Sequence, residues 1–423
     1  MSSAVITLIF LVFAITMFAW EKIPLPITAM IVAIGLVLTG ILDPPEAFAG
    51  FVDDNVLLFM AMFIIGAAVF ETGMAKKIGG LVTRFAKTER QLIISIMVIT
   101  ALMSGLLSNT GTAAVLIPVI IGIAARSGFA RPRLLLPLVF AAAMGGSLSL
   151  IGAPGNMIAQ SELQEHGMSF GFFEYAYVGL PILIIGIIYF SLFGYKLLPK
   201  GEGSLPDTDS VFNDNTDDSN VPKWKQIMSV VVLVLTVLAM VFEDQIGVDL
   251  HISAWTGALI LVAIGVISGN SAMKSIDMNT IFLFVGSLAL ARGIEESGAG
   301  LLIAETVIGA FGSDPSPHLL LFVILIIAAV MTNFISNTAT TALLVPITFS
   351  IANSLGADPR AVLMATVIGG SLAYATPIGM PANTMVYYLG GFKFNDYVKA
   401  GVPLIIVAIV VSMILLPIFF PFY

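Results

Sequence analysis

Ser108-Asn109-Thr110-Gly-Thr112-Ala-Ala114-Val-Leu116-Ile-Pro118 returns as Ser336-Asn337-Thr338-Ala-Thr340-Thr-Ala342-Leu-Leu344-Val-Pro346, with seven of the eleven positions identical. Each copy sets a short polar cluster at the centre of an apolar run, about 91–125 and 318–352. Polar groups are costly in hydrocarbon and are kept there mainly where they line a cavity or hold a ligand. A lone Ser-Asn-Thr in a membrane helix reads more simply as hydrogen-bond glue between helices. Two matching copies, one in each half of the chain, point instead to a ligand site at a repeat interface.

The surroundings are hydrocarbon-like. The chain is 58% hydrophobic and 10% charged, with mean hydropathy +1.03. A soluble chain of 423 residues cannot hide so much apolar side chain, so this reads as a polytopic, all-α membrane protein with no nucleic-acid partner. The absence of cysteine excludes disulfides, thiolate zinc sites, iron–sulfur clusters and a cysteine nucleophile. His166, His251 and His318 are far apart and expected in surface loops, which argues against a metal cluster. The net charge of -8 owes five negatives to Asp207, Asp209, Asp214, Asp217 and Asp218 in one segment. Residues 4–20 lack the basic flank and cleavage site of a signal peptide.

Placement of lysine and arginine orients the chain. Apolar stretches long enough to cross a bilayer run roughly 4–20, 25–42, 55–72, 134–165, 176–197, 226–242, 252–268, 279–296, 361–392 and 400–420. The run 91–125 is bracketed by Lys87 and Arg90 on one side and Arg126, Arg131 and Arg133 on the other. Basic residues favour the cytoplasm, so both its ends lie inside. About 35 helical residues cover roughly 52 Å, too short for two crossings and a turn. This predicts a re-entrant hairpin with its tip at Ser108–Thr110. From that anchor only Arg292 and Arg360, of eighteen basic residues, fall outside. Arg292 is expected to reach the surface and pair with Glu295 or Glu296. The second hairpin, flanked by Asp314 and Asp358, opens outward. Five spans per half invert the second half, with both termini external.

The repeat extends further, at offsets of roughly 222–228 residues. Gly145-Gly146-Ser147-Leu148 recurs as Gly369-Gly370-Ser371-Leu372, and Gly152-Ala-Pro154-Gly-Asn156 as Gly379-Met-Pro381-Ala-Asn383. Phe172-Phe-Glu174-Tyr175, with Gly179 and Pro181, answers Phe394-Asn-Asp396-Tyr397, with Gly401 and Pro403; Asp53 and Asn55 answer Asp277 and Asn279. Residues 199–225, rich in Gly, Ser and Asp, form a flexible cytoplasmic linker. Residues 75–90 suit an amphipathic helix on the cytoplasmic surface, and 298–313 its outer counterpart.

At a hairpin tip one helix ends and another begins. Ser, Asn and Thr cap helices well, and the new helix offers unpaired N–H groups and the positive end of its dipole. That arrangement holds an oxyanion without a fixed cation. Gly152 and Pro154, like Pro377, Gly379 and Pro381, break the spans 134–165 and 361–392 at membrane depth. The carbonyls so freed can ligate Na⁺.

These residues resemble the divalent anion/sodium symporter family of dicarboxylate, citrate and sulfate carriers. Its hallmark is a pair of Ser-Asn-Thr motifs, here Ser108–Thr110 and Ser336–Thr338. Its second-half pattern fits Ser371-Leu-Ala-Tyr374-Ala-Thr-Pro377-Ile378-Gly379-Met-Pro-Ala-Asn383-Thr-Met385-Val386, except for Tyr where Phe is usual. The resemblance covers nearly the whole chain, less the family's usual first spanning helix.

It implies a homodimeric elevator whose transport domain moves against a fixed scaffold. Scaffold parts would be 1–90, with its arm 75–90, and 226–313, with its arm 298–313. Transport parts would be 91–198, with hairpin 91–125, and 314–423, with hairpin 318–352. By the same resemblance Asn109, Thr110, Asn337 and Thr338 would hold substrate carboxylates, with Gly152 and Pro377 beside them. Ser104, Ser108, Asn109 and Gly152 would form one sodium site, and Thr332, Asn337, Thr376 and Pro377 another. Two departures touch these sets. Gly-Ala-Pro-Gly-Asn at 152–156 replaces the commoner Gly-Thr-Pro-Pro-Asn, and Thr332 stands where Ser is usual.

The expectation is a multi-pass carrier of the inner or plasma membrane, without a resident cofactor. It would move C4–C5 dicarboxylates such as succinate, malate, fumarate or 2-oxoglutarate by alternating access. Na⁺ symport and dicarboxylate exchange both stay open, and citrate or sulfate is the alternative cargo. A Na⁺/H⁺ antiporter would want a titratable carboxylate at midmembrane depth, and the hairpins have none. A membrane-embedded enzyme would need an acid/base or nucleophile set, and no His, Cys or paired Asp lies in the expected core.

Overall fold

The computed structural model describes residues 2–20, 22–80, 88–127, 129–199, 221–303, 306 and 316–422, and among these helix is the only regular structure. The apolar runs fold as expected because a backbone in hydrocarbon must pair its own N–H and C=O groups. Thr88 opens hairpin 1 as an N-cap, its hydroxyl accepting from Gln91 N, and Ser316 opens hairpin 2 by accepting from Leu319 N. Hairpin 1 consists of Glu89–Leu106 and Asn109–Ser127, and hairpin 2 of Pro317–Thr332 and Asn337–Leu355. The span 134–165 is broken into Arg131–Gly145 and Pro154–Glu165, and 361–392 into Pro359–Gly370 and Pro381–Leu389. Pro154 and Pro381 each sit at the start of the second piece, where a missing N–H costs nothing.

The halves interlock. Met278–Glu296 packs on Leu25–Leu38, and Leu250–Ala263 on Asp54–Glu71, so each half's third helix docks on the other's second. Pro154–Glu165 packs on Asn337–Leu355, and Pro381–Leu389 on Asn109–Ser127. Apolar burial drives little between helices in lipid, so close packing and hydrogen bonds carry the association. Gly145 illustrates it: a Cβ there would lie 2.8 Å from the Ala101 Cα.

Polar contacts between distant segments show that the repeats are inverted. At the start of Asp54–Glu71, Asp53 accepts from Ser161 Oγ at 2.9 Å, near the end of Pro154–Glu165. At the other end Thr72 bonds Ser229, at the start of Lys223–Val241. In the equivalent helix Met278–Glu296 it is the last turn, through Arg292, that meets Glu165 at 2.9 Å. The two third helices therefore point in opposite directions. Lys77 with Gln226, Arg133 with Glu89 and Arg90 with Tyr195 gather on the face opposite Glu165, which is the lysine- and arginine-rich face.

Several expectations change. Arg292 pairs with Glu165 rather than Glu295 or Glu296, because its neighbour across the interface is nearer than those along its helix. His251 and His318 lie in first turns of helices rather than loops, and His166 follows Pro154–Glu165 with Nε2 3.4 Å from Glu295 Oε1. The Gly-Gly-Ser-Leu match is out of register: by their hydrogen bonds, described below, Gly370 answers Ala142 rather than Gly146. Small residues recur wherever helices touch, so they align easily at the wrong turn. Among the described residues six helices are long and apolar enough to cross alone, and two of them, Glu89–Leu106 and Asn337–Leu355, are hairpin arms. Of the predicted arm 75–90, Met74–Gly80 is helical and Glu89 already begins hairpin 1. The rest of that arm (81–87), residues 304, 305 and 307–313 of its outer counterpart 298–313 and residues 200–220 of the linker 199–225 lie outside the described residues, and the linker's end from Lys223 already belongs to Lys223–Val241.

Candidate functional site

Both hairpin tips open on one cavity of about 380 Å³. Ser108, Asn109 and Thr110 line it from one side and Ser336, Asn337 and Thr338 from the other, with Gly152, Pro154, Gly379 and Pro381 between them. Four helices thus begin at its wall: Asn109–Ser127, Asn337–Leu355, Pro154–Glu165 and Pro381–Leu389. Ser108 Oγ accepts from Gly111 N at 3.0 Å and Ser336 Oγ from Ala339 N at 3.2 Å. The N–H groups of Asn109, Thr110, Asn337 and Thr338 have no preceding turn to pair with. Asp277 is the one ionisable side chain in the lining, and no lysine, arginine or histidine reaches it among the described residues.

Each tip is braced by the same bonds. Ser104 Oγ lies 2.7 Å from Asn109 Oδ1 and 2.6 Å from Ala142 O; Thr332 Oγ1 lies 2.8 Å from Asn337 Oδ1 and also bonds Gly370 O. The three positions recur at a common offset of 228, from 104, 109 and 142 to 332, 337 and 370. Thr332 therefore does what Ser104 does, and the departure from Ser is chemically conservative. Each hydroxyl has one hydrogen and two acceptors within reach. At hairpin 1 the crowding is greater: the amide end of Asn109 near Ser104 Oγ also lies 3.2 Å from Ala142 O and 3.1 Å from Gly152 O. Three oxygens there suit either an amide N–H₂ or a cation.

The breaks are held alike. Asn156 Nδ2 donates to Gly146 O at 2.8 Å and Ser149 O at 2.7 Å; Asn383 Nδ2 donates to Ala373 O at 2.7 Å and Thr376 O at 3.1 Å. Tyr175 and Tyr397 donate to the carbonyls of Asn156 and Asn383, at 2.8 and 2.7 Å. Ser149 Oγ donates to Gly105 O and Thr376 Oγ1 to Asn333 O, tying each break to its hairpin. Carbonyls freed by unwinding are thus paired instead of left bare in hydrocarbon.

Of the expected site residues, Ser108, Asn109, Thr110, Gly152, Asn337 and Thr338 line the cavity. Ser104 and Thr332 lie buried one turn behind the tips. Thr376 and Pro377 sit in the second break without lining the cavity; Thr376 is spent on Asn333 O, and Pro377 O accepts from Thr384 Oγ1 at 2.7 Å. Gly379 takes the place equivalent to Gly152, against the Thr332 carbonyl. Residues missed in the sequence include Asn333, whose buried amide donates to Ala329 O and Leu372 O and accepts from Ala375 N. Its signal was a polar side chain inside the apolar run 318–335. Thr341 and Thr280 also line the cavity and carried no local signal, while Ser371 and Asn279, met in the sequence only as repeat and family-pattern positions, line it too.

The lining also takes in Leu25, Pro26, Asp277 and Asn279, at helix starts on the lysine-rich side, and a second cavity of about 360 Å³ continues along Phe63, Gly66, Phe70 and Ser275. Towards the other face Pro154–Glu165 is tied down. Asn55 Nδ2 donates to Ser161 Oγ at 2.9 Å and Gln164 Oε1 at 2.7 Å, Asp53 accepts from Ser161, and Arg292 holds Glu165. Glu162, buried on that helix, does not reach the cavity.

Inverted repeats, paired hairpins and broken helices meeting at one cavity define a multi-pass transporter of the plasma membrane, not an enzyme. The chain matches the citrate transporter family, CitMHS, over residues 15–369 and again over 241–422, and it belongs to that family of anion transporters. An uncharacterized transporter of Escherichia coli K12, YfbS, is 24% identical, covering 97% of this chain and 98% of its own. The sodium-dependent dicarboxylate transporter SdcS of Staphylococcus saprophyticus is 23% identical over 93% of this chain and 82% of its own. Among solved structures, Neisseria gonorrhoeae MtrF, of a class described as antimetabolite efflux pumps, shares the fold. Its TM-score is 0.65 at 17% identity, over 99% of this chain and 95% of that one.

Proposed function

We propose that the protein carries C4–C5 dicarboxylates such as succinate, malate, fumarate or 2-oxoglutarate across the membrane by alternating access, coupled to Na⁺. The observation that carries this is the convergence of four helix N-termini on one cavity that no basic side chain lines among the described residues. Dipole ends and unpaired N–H groups attract carboxylates, and two such tips suit two carboxylates. Asn109, Thr110, Asn337 and Thr338 take those roles, with the backbone beside Gly152 and Gly379 completing the walls. SdcS, named as a sodium-dependent dicarboxylate transporter, supports the substrate class.

Support for sodium comes from Asn109. To aim its N–H₂ at a carboxylate, its Oδ1 must turn to Ser104 Oγ, Ala142 O and Gly152 O, an all-oxygen cluster. Na⁺ among those oxygens satisfies them and offsets a dianion's charge. Ser108 completes that set; Thr332, Asn337 and Gly370 O form its counterpart, with Thr376 and Pro377 behind it. By resemblance the working unit is a homodimer, and hairpins plus broken helices slide as one body between a state open to the cytoplasm, on the basic face, and one open outside. The test is uptake of labelled succinate into proteoliposomes. Uptake driven by an inward Na⁺ gradient is expected. Uptake that needs internal dicarboxylate and ignores Na⁺ replaces symport by exchange, and no uptake under either condition removes the dicarboxylate reading.

A further inference from the structure

Among the hairpin and broken-helix residues that line the cavity, most polar side chains come in matched pairs: Ser108 with Ser336, Asn109 with Asn337, Thr110 with Thr338. Two do not. At the offset of 228, Thr341 answers Ala113 and Ser371 answers Ala143, so both extra hydroxyls fall on the hairpin 2 side. They are neighbours, because Gly370, adjacent to Ser371, lies against the Thr341 methyl, where a Cβ would come to 2.8 Å. Space for Thr341 exists because Gly155 faces it; a Cβ at 155 would meet Thr341 Oγ1 at 2.5 Å. The corresponding positions in the other half hold Ala382 and Ala113.

The hydrogens of both hydroxyls are already placed. Thr341 Oγ1 lies 3.0 Å from Asn337 O and 3.0 Å from Thr338 O, and Ser371 Oγ lies 2.9 Å from Val367 O. A hydroxyl has one hydrogen and two lone pairs, so what either can still offer a ligand is an acceptor. Acceptors match a ligand O–H and gain nothing from a bare methylene or a keto oxygen. A plain two-ended diacid would use only the matched pairs, and the extra hydroxyls would be idle.

We propose that Thr341 and Ser371 make the site selective for a 2-hydroxy dicarboxylate, whose hydroxyl lies beside the carboxylate held at Ser336–Thr338. This rests on the dicarboxylate reading above and deepens it: the two ends of the cavity are alike for carboxylates and unlike for the carbon next to them. Malate binds in one orientation, hydroxyl towards hairpin 2, while succinate has no preferred orientation. A hydroxyl matched by a site built for it discriminates against the analogue lacking it, and two buried acceptors give about tenfold.

The test is competition against labelled succinate in proteoliposomes, with unlabelled succinate, malate and oxaloacetate as competitors. Malate is expected to compete about tenfold better than succinate or oxaloacetate with the parent protein. Thr341→Val, which keeps the shape, and Ser371→Ala should each lower that preference and together abolish it. Gly155→Ala, pressing on Thr341 from across the cavity, should act in the same direction and serves if Thr341→Val folds poorly. Equal competition by malate and succinate in the parent overturns the proposal while leaving the dicarboxylate reading intact. A malate preference that survives both substitutions also overturns it, and failure of every diacid to compete or be carried overturns both.

Discussion

Asn55→Ala should tilt the carrier towards its outward-open state. Asn55 is 2% exposed, and its amide donates to Ser161 Oγ at 2.9 Å and Gln164 Oε1 at 2.7 Å, joining Asp54–Glu71 to Pro154–Glu165. Each bond contributes about 1 kcal/mol net. Both exist only while that helix is tied down, so their loss raises the energy of this state alone, by about 2 kcal/mol. At 1.4 kcal/mol per decade the equilibrium moves roughly thirtyfold. The absence of native cysteine makes the shift measurable. Met380 lines the cavity, so a single Met380→Cys reporter meets an impermeant maleimide added outside only when the cavity opens outward. Its labelling rate follows the share of that state and should rise about thirtyfold when Asn55→Ala is added. Asn279→Ala is the control: Asn279 is the repeat partner, lines the cavity and, among the described side chains, makes no hydrogen bond to Pro381–Leu389. It should leave outside labelling unraised. A folded Asn55→Ala protein that labels at the parent rate refutes the tie.

Arg292→Ala removes a pair whose side chains are 32% and 25% exposed, so the same assay should move by no more than about fivefold. Gly179→Ala and Gly401→Ala each put a Cβ against a main-chain oxygen of a break, Ser147 O and Tyr374 O. Each should cost about 1–3 kcal/mol, read as a lower Tm, and the two losses should be similar because the contacts are repeat-related. Thr332→Ser keeps the donor to Asn337 Oδ1 and should preserve Na⁺-driven uptake, whereas Thr332→Val leaves two acceptors unpaired. Val at 332 should raise the Na⁺ concentration for half-maximal uptake at least tenfold, about 1.4 kcal/mol; equal Na⁺ dependence in both variants would remove Thr332 from the ion's surroundings. Tyr397→Phe strands the buried Asn383 carbonyl, at a cost of about 1–3 kcal/mol in thermal stability.

What the sequence made legible was whatever hydrocarbon makes expensive. A Ser-Asn-Thr cluster or a Gly-x-Pro break in an apolar run stands out because each must be compensated, and both proved to be at the cavity wall or just behind it. Pairings across the interface left no such trace. Glu295 and Glu296 are visible from Arg292 at helical spacing, while Glu165, its partner, is 127 residues away. The Gly-Gly-Ser-Leu repeat misled because glycine contact recurs along any close-packed helix, whereas side-chain bonds to main-chain carbonyls fix a register atom by atom. Thr341 looks in sequence like an ordinary helix hydroxyl and Ser371 like one more repeat position; their asymmetry appears only when Ala113 and Ala143 are recognised as their counterparts.

The same logic bears on motion. Asp53 with Asn55 and Asp277 with Asn279 are written alike, yet the first pair is bonded to a broken helix and the second faces open space. A sequence repeat by itself predicts two equal halves. A carrier that opens to one side at a time needs the halves unequal at any moment, so the difference between those pairs reports position along the cycle. It is not, however, a difference that can simply reverse. Ser161 and Gln164, which bind Asn55, have Tyr388 and Gly391 at the corresponding places of the second half. Gly391 has no side chain to offer Asn279, so the tie that Gln164 makes to Asn55 has no side-chain equivalent in the other half.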